Sequence, residues 1–326
     1  MYHGFGRTRR FFEGWYFKCV SRDERTVWAI IPGVSLAADP AASHAFIQFN
    51  DASNRKAGYF RFPLSDFAAH PRRFDIRLGN CRFSPEGIHL DAQAEGRTLR
   101  GDLQFSAIRG WPVSLLSPGA MGRYAFVPSM ECYHGILSFD HGLEGAFVLD
   151  GARADFSGGR GYIEKDWGVS FPAAWIWMQT NHFGKDGISL SGSVAKIPWR
   201  SRFFTGILFG FLYEGRVYRY ATYTGAKVRD LRVDNEKIHI VLEDSRTCLE
   251  IEADRRDGAD LASPMFGAMS SKVNETLKAR IRTAFYEKNR GGRKLLFEGI
   301  GRNAGLEFVG DIRELINGLE KPSKRK

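Results

Sequence analysis

Near the middle of the chain, residues 161–168 read Gly-Tyr-Ile-Glu-Lys-Asp-Trp-Gly. Successive side chains of a β-strand point to opposite faces of its sheet. Read as a strand, this stretch places Tyr162, Glu164 and Asp166 on one face, and Ile163, Lys165 and Trp167 on the other. Two carboxyl groups that share a strand face are candidates for general acid and base chemistry.

A second unusual strand follows the chain breaks at Gly168 and Pro172. Residues 175–181 read Trp-Ile-Trp-Met-Gln-Thr-Asn, and the same alternation collects four of them on one face: Trp175, Trp177, Gln179 and Asn181. Buried indole and amide groups need hydrogen-bonding partners. Such a face suits a pocket that holds a largely apolar ligand with a few polar groups. A barrel interior whose polar groups satisfy one another is the alternative for the two amides.

Short alternating runs separated by Gly, Pro and Asn recur along the whole chain, which contains 36 glycines and 26 phenylalanines. This pattern is typical of an antiparallel β protein. Residues 273–288 also alternate and predict a strand, although their composition would suit a helix. Helix is predicted only for residues 312–319 and for short pieces near 64–69 and 264–271. A Gly-rich break near residues 156–159 predicts two β domains, 1–156 and 157–326.

Four stretches resemble the tocopherol cyclase family in sequence and in order. The first is the central run from Gly161 through Asn181; the others are Phe12–Lys18 (FEGWYFK), Pro128–Gly135 (PSMECYHG) and Ala221–Lys227 (ATYTGAK). The resemblance extends from about Phe11 to Phe308. It implies an all-β fold of two lipocalin-like antiparallel β-barrels or sandwiches packed together, with few short helices.

The family resemblance also implies an activity, the cofactor-free cyclisation of a prenylated hydroquinone, or a similar apolar isoprenoid, to a chromanol-type ring. Such an enzyme is an intramolecular lyase of the isomerase class. A general acid protonates an alkene, aromatic faces stabilise the cation, and the phenol oxygen captures it. The rival hypothesis is a lipocalin-like carrier that binds an apolar isoprenoid or lipid without chemistry. A weaker alternative is an isomerase or hydratase acting on another polyene.

Within this hypothesis, Asp166 is our first choice for the general acid, and Glu164 is the alternate. His134 is the proposed proton acceptor, because imidazole titrates near neutrality. A salt bridge to a nearby Arg or Lys is the plain alternative for each carboxylate, and a structural hydrogen bond for His134. Lys18 and Lys165 are the simplest charge partners for the carboxylates. The predicted substrate-binding residues are Glu13, Trp15, Tyr16, Glu131, Trp167, Trp175, Trp177, Gln179 and Asn181.

Charge and motif content argue against several other functions. The formal net charge is +10, but the basic residues are dispersed and no nucleic-acid-binding motif is present. Basic residues concentrate only at residues 7–10 and 321–326, where they predict either solvated ends or peripheral contact with an anionic membrane surface. The run Ser157–Gly161 lacks the lysine of a phosphate-binding loop, and no Gly-x-Ser-x-Gly elbow occurs.

Cysteine and histidine spacing predicts no metal site. The four cysteines form no Cys-x-x-Cys pair, and the eight histidines form no His-x-His or His-x-x-x-His pair. Scattered cysteines indicate free thiols in a reducing compartment. No run of apolar residues is long enough to span a membrane. We therefore expect a cytoplasmic protein that either stays free of the membrane or contacts its surface peripherally.

Overall fold

The computed structural model describes residues 1–320 except 95, 129, 200, 201, 235, 255 and 257. The basic segment predicted at residues 321–326 lies outside the described residues. No described helix is long and apolar enough to cross a membrane.

Strands account for most of the described chain. They are β1 (Phe11–Val20), β2 (Val27–Leu36), β3 (His44–Asp51), β4 (Lys56–Phe62), β5 (Phe67–Ala69), β6 (Ile76–Leu78), β7 (Cys81–Ser84), β8 (Gly87–Ala94), β9 (Arg97–Ser106), β10 (Cys132–Leu149), β11 (Ala152–Asp155), β12 (Gly159–Gly168), β13 (Trp175–Thr180), β14 (Ser189–Trp199), β15 (Arg202–Tyr213), β16 (Arg216–Ala221), β17 (Lys227–Val233), β18 (Lys237–Glu243), β19 (Thr247–Asp254), β20 (Ala259–Met265), β21 (Ala268–Asn289) and β22 (Gly292–Val309). Helix α1 covers Ile312–Glu320, and short 3-10 turns cover Pro40–Ala42, Leu64–Asp66, Gly122–Phe126 and Thr222–Thr224.

These strands form two large sheets whose described pairings are antiparallel. The first has twelve strands in the order β4-β3-β2-β1-β12-β10-β9-β8-β7-β6-β5, with β11 paired to β10. The second has ten strands in the order β16-β15-β14-β13-β22-β21-β19-β18-β17, with β20 paired to β21. The predicted all-β class with two lipocalin-like β domains is confirmed.

Contacts along the chain define two compact units. The first contains residues 1–111, 130–171 and 259–272, and the second contains residues 112–129, 172–258 and 273–326. The predicted boundary between residues 156 and 157 falls inside the first unit, because β12 pairs with β1 and β10 of the first sheet. The units therefore differ from the two sequence halves.

Most local predictions agree with the structure. Residues 273–288 lie within β21, as their alternation predicts, and the helix expected at residues 312–319 is α1. Near residues 64–69 a 3-10 turn gives way to the short strand β5. The helix expected near residues 264–271 is wrong, because this segment is the turn between β20 and β21 and the strand residues beside it.

Each sheet sends alternate residues into its own core. In the first unit, Trp15, Phe17 and Ile163 belong to the core cluster, so Tyr162, Glu164 and Asp166 lie on the face away from it. In the second unit, the core cluster contains Ile176 and Met178. The row of Trp175, Trp177, Gln179 and Asn181 therefore lies on the opposite face. The period-two pattern of the central motif is confirmed for both strands.

The ion pairs of Glu243 on β18 should make part of the stability of the second unit depend on pH. Lys288 Nζ and an Arg229 guanidinium nitrogen each lie 2.8 Å from its carboxylate. Hydrogen bonds from these two residues lower the pKa of Glu243 to about 2. A carboxyl group with a lowered pKa in the folded state stabilises it above the unfolded pKa and loses this contribution as the pH falls toward the folded pKa.

We therefore expect Glu243→Gln to lower the free energy of unfolding by about 1–2 kcal/mol at pH 7, after allowance for solvent screening of its partly exposed partners. The difference from wild type should shrink as the pH falls from about 4.5 toward about 2. Urea unfolding of both proteins at a series of pH values measures this difference in the free energy of unfolding. A deficit that stays constant across this range would contradict the assignment.

Candidate active site

The imidazole of His134 lies between the two carboxylates of the central motif. Strand β10 places His134 directly opposite Asp166 on β12. Nδ1 of His134 is 2.9 Å from Oδ1 of Asp166, and Nε2 is 3.6 Å from Oε2 of Glu164. Each ring nitrogen therefore faces a different carboxylate, so a proton on either nitrogen points toward a carboxylate acceptor.

Two further groups extend this cluster at its ends. The hydroxyl of Tyr162 donates a hydrogen bond to Oε2 of Glu164. At the other end, the thiol of Cys132 lies 3.9 Å from Oδ1 of Asp166, a weak contact. Tyr162 and Glu164 are buried, whereas the side chain of Asp166 is 24% exposed. Asp166 is thus the carboxylate of the pair that is more open to a ligand.

Burial raises the pKa of two groups beside the cluster. Burial, reinforced by the charge of Asp166, raises the pKa of the Cys132 thiol well above its ordinary value, so this cysteine remains a thiol. Burial also raises the pKa of Glu131. The backbone carbonyl of Glu131 accepts hydrogen bonds from the amides of Val169 and Ser170, which fixes the chain where β12 ends.

The opposite face of β12 holds a buried ion pair. Lys165 Nζ contacts Oε1 of Glu13. The sequence predicted a carboxylate partner for this lysine without naming Glu13. His3 adds a backbone hydrogen bond of 2.7 Å to Oε2 of Glu13. The ammonium of Lys165 lies 4.9 Å from the ring centroid of Trp15 and 4.7 Å from that of Trp167. Burial lowers the pKa of Lys165, and the charge of Glu13 opposes this effect.

Three of the predicted substrate-binding residues thus lie on the core side of the first sheet. They are Glu13, Trp15 and Trp167, which the alternation of β1 and β12 turns away from Asp166. Tyr16, in contrast, pairs directly with Glu164 and shares its face. Trp15 is fully buried and stacks on Phe74, as a core residue does.

The tryptophan and amide row of the second unit is buried. Trp175 and Trp177 are 8% and 6% exposed, and Gln179 and Asn181 are 0% and 1% exposed. The indole N–H of Trp175 donates a 2.8 Å hydrogen bond to Oε2 of Glu307 on β22. Their assignment to substrate binding stays a prediction.

A histidine with two carboxylates is also a donor set for a divalent metal ion, which the sequence analysis did not foresee. One donor atom from each of His134, Glu164 and Asp166 lies within 4.8 Å of the others. Tetrahedral zinc with ligands at about 2.0–2.1 Å needs donor separations of about 3.3 Å. Because the two carboxylates contact different ring nitrogens, they would have to move toward one nitrogen to bind an ion. The observed positions fit a hydrogen-bonded chain better.

Sequence reasoning found the residue types of this cluster but not its connectivity. Alternation within β12 could place Glu164 beside Tyr162, but only the register between β10 and β12 brings His134 to both carboxylates. Two register shifts in this pairing, between Ile136 and Ser138 and between Ser138 and His141, have no sequence signal that we recognised.

Comparison with known proteins gives the family. The sequence profile of the tocopherol cyclase-like family matches residues 83–310. The chain belongs to this family. A probable chloroplastic tocopherol cyclase of Oryza sativa subsp. japonica is 25% identical over 371 residues, which cover 95% of this chain and 77% of the rice protein. The chloroplastic tocopherol cyclase of Zea mays is 24% identical over 373 residues, with the same coverage.

A solved structure shares the fold of this family member. The crystal structure of CghA with Sch210972 superposes with a TM-score of 0.57 at 11% sequence identity, covering 92% of this chain and 89% of CghA. At this identity the likeness concerns the fold alone.

Proposed function

We propose that this protein is an intramolecular lyase that cyclises a prenylated hydroquinone, or a similar apolar isoprenoid, to a chromanol-type ring by acid catalysis without a cofactor. The observation that carries the proposal is the imidazole of His134 held between Asp166 and Glu164. Family membership and the names of the rice and maize relatives support the reaction class.

The reaction requires one proton to be given and one to be taken. Asp166, in its protonated form, gives its proton to one carbon of the alkene, and the other carbon becomes a tertiary cation. The phenol oxygen then forms the new C–O bond with this cation and loses its proton to His134. The product is an isomer of the substrate, so no oxidant or reductant is consumed.

His134 joins these two proton transfers. Its Nδ1 faces Asp166, which has given up a proton, and its Nε2 faces Glu164. A proton taken from the phenol at this imidazole can pass to Asp166 and restore the acid for the next turnover. Glu164, fixed by the hydroxyl of Tyr162, stabilises the imidazolium while it carries the proton.

The aromatic ring of Tyr16 lies on the same sheet face as the cluster and is 8% exposed. Aromatic faces attract a cation through the ring quadrupole, by about 0.5–2 kcal/mol depending on desolvation. We assign Tyr16 to stabilising the tertiary cation that forms beside Asp166. This retains the role that the sequence analysis gave it.

Incubation with synthetic prenylated hydroquinones under nitrogen tests the proposal, because oxygen would oxidise the quinols. Chromatography with mass spectrometry distinguishes the cyclised isomer from its substrate of equal mass. We expect a cyclised product in amounts that exceed the protein by many turnovers. Recovery of unreacted quinol bound to the protein, with no product, would instead support the carrier hypothesis.

A further inference from the structure

Three aliphatic side chains are exposed together in the segment that connects β9 to β10. The exposed fractions are 68% for Val113, 94% for Leu115 and 84% for Leu116. A single exposed leucine is ordinary on a protein surface, but here three aliphatic residues occur within four positions. Transfer of these side chains out of water is favourable, so residues 113–116, the apolar tip, favour contact with another apolar surface.

The backbone presents the two leucines at the end of a tight turn. The amide of Ser114 donates a 2.9 Å hydrogen bond to the carbonyl oxygen of Ser117, and the amide of Ser117 donates one of 3.1 Å to the carbonyl oxygen of Ser114. This antiparallel bridge leaves only Leu115 and Leu116 between its two residues. Backbone groups without a partner are costly in lipid, and the bridge supplies partners for four of them.

The chain that follows the apolar tip packs against Tyr223. The hydroxyl of Tyr223 donates a 2.8 Å hydrogen bond to the carbonyl oxygen of Ala120, which is buried. Its ring covers Gly122, where an added β-carbon would lie 2.5 Å from Cε2 of Tyr223. Tyr124 meets the same ring edge to face, with the centroids 6.3 Å apart. The apolar tip is therefore continuous with a packed part of the second unit.

The charges around the apolar tip have one sign. Residues 103–130 contain two basic residues, Arg109 and Arg123, and no Asp or Glu. Both arginines are exposed and flank the tip in the sequence. Basic residues near a membrane are attracted to anionic lipids, while apolar side chains enter the boundary between headgroups and acyl chains. Charge and exposed apolar area therefore suit the same kind of surface.

The apolar tip is small for a protein interface. Three aliphatic side chains bury on the order of 300 Å² of apolar surface, whereas each partner in a specific protein complex buries about 800 Å². A lipid surface has no fixed shape to match. A few apolar side chains give reversible binding there when electrostatic attraction to anionic lipid adds to them.

We propose that the apolar tip inserts Leu115 and Leu116 into the surface of a membrane that contains anionic lipid, and that Arg109 and Arg123 add electrostatic attraction to it. This surface is distinct from the basic segments at residues 7–10 and 321–326, for which the sequence analysis left membrane contact open. The inference goes beyond the proposed function and does not rest on it.

Co-sedimentation of the full chain with vesicles made of equal parts of phosphatidylcholine and phosphatidylglycerol measures the partition coefficient. We expect the tip variant Leu115→Ser, Leu116→Ser to lower this coefficient at least tenfold, because moving one leucine from water to lipid is worth roughly tenfold. Arg123→Gln should lower it about fivefold on these vesicles and leave binding to pure phosphatidylcholine unchanged, because it removes electrostatic attraction alone.

Two further proteins serve as controls. Leu295→Ser, Ile300→Ser also removes two exposed aliphatic side chains, which are 48% and 43% exposed on β22, and should leave the partition coefficient unchanged. A variant without residues 321–326 measures the separate contribution of that basic segment. Because Leu115 and Leu116 are almost fully exposed, the tip variant should unfold at the same temperature as the wild type.

The outcomes decide between a membrane and other occupants of the apolar tip. A folded tip variant that binds vesicles as tightly as the wild type overturns the proposal, whatever the loss of residues 321–326 does. A wild-type oligomer in sedimentation equilibrium without lipid, which the tip variant dissociates, also overturns it, because the tip would then join copies of the chain. Loss of vesicle binding in the tip variant with an unchanged oligomeric state supports the proposal, even when no quinol is cyclised.

Discussion

Replacing Asp166 with asparagine is expected to lower the rate of cyclisation by about 10²–10⁴-fold, the range over which a positioned acid contributes to catalysis. Asparagine keeps the size of the side chain and can still contact His134, but it has no carboxylic proton to give to the alkene. Binding of the prenylated hydroquinone should change little. Steady-state kinetics and fluorescence titration of the same variant measure the two effects.

The chain offers a matched control for this substitution. Asp102 on β9 also pairs with a histidine, with Oδ1 2.7 Å from Nδ1 of His89, but this pair is exposed. Asp102→Asn should leave the rate unchanged. His134→Gln should lower kcat without a comparable change in ligand binding, because it removes the proton acceptor. An Asp166→Asn variant that retains a third or more of the wild-type rate would rule out Asp166 as the acid.

Replacing Glu13 with alanine is expected to lower the free energy of unfolding by about 3–5 kcal/mol, the cost of leaving one partner of a buried ion pair without the other. Glu13 is fully inaccessible and Lys165 is 4% exposed, so bulk solvent does not screen the ammonium charge that the substitution leaves without its carboxylate. Because burial lowers the pKa of Lys165, the variant can relieve part of this cost by losing the lysine proton. The deficit should therefore be largest near neutral pH and shrink as the pH rises toward 10.

Denaturant unfolding measures this loss of stability. Two further variants test whether the loss comes from the buried ion pair. Glu298→Ala removes a carboxylate from an exposed pair with Arg282 and should leave the free energy of unfolding almost unchanged. The double variant Glu13→Leu, Lys165→Met should recover much of the stability, because apolar residues of similar volume can replace a buried ion pair. If Glu13→Ala lowered the free energy of unfolding no more than Glu298→Ala does, the buried pair would stabilise the protein no more than an exposed pair, and the prediction would be wrong.

The strand faces of the central motif could be predicted because alternation is a local property. Tyr162, Glu164 and Asp166 share a face simply because they are two residues apart. Alternation also predicted that Trp167 lies away from Asp166. The family resemblance nonetheless grouped Trp15 and Trp167 with the substrate-binding residues, since a shared motif does not say which face each residue occupies.

Non-local register could not be predicted from one sequence. His134 and Asp166 are 32 residues apart, and a one-residue slip between β10 and β12 would turn the histidine to the other face. The boundary predicted between residues 156 and 157 differs from that of the compact units for a similar reason. Strand β12 follows this boundary in the sequence but pairs with β1 and β10, so it belongs to the first sheet.

Deuterium incorporation tests the central claim most directly. The wild-type protein is incubated with a prenylated hydroquinone in D₂O, and the product is returned to H₂O so that only carbon-bound deuterium remains. Protonation of the alkene by an acid in exchange with solvent predicts a chromanol one mass unit heavier than that formed in H₂O, and no such product from Asp166→Asn. A product without carbon-bound deuterium, or quinol recovered unchanged from the wild-type protein, would contradict acid-catalysed cyclisation at this site.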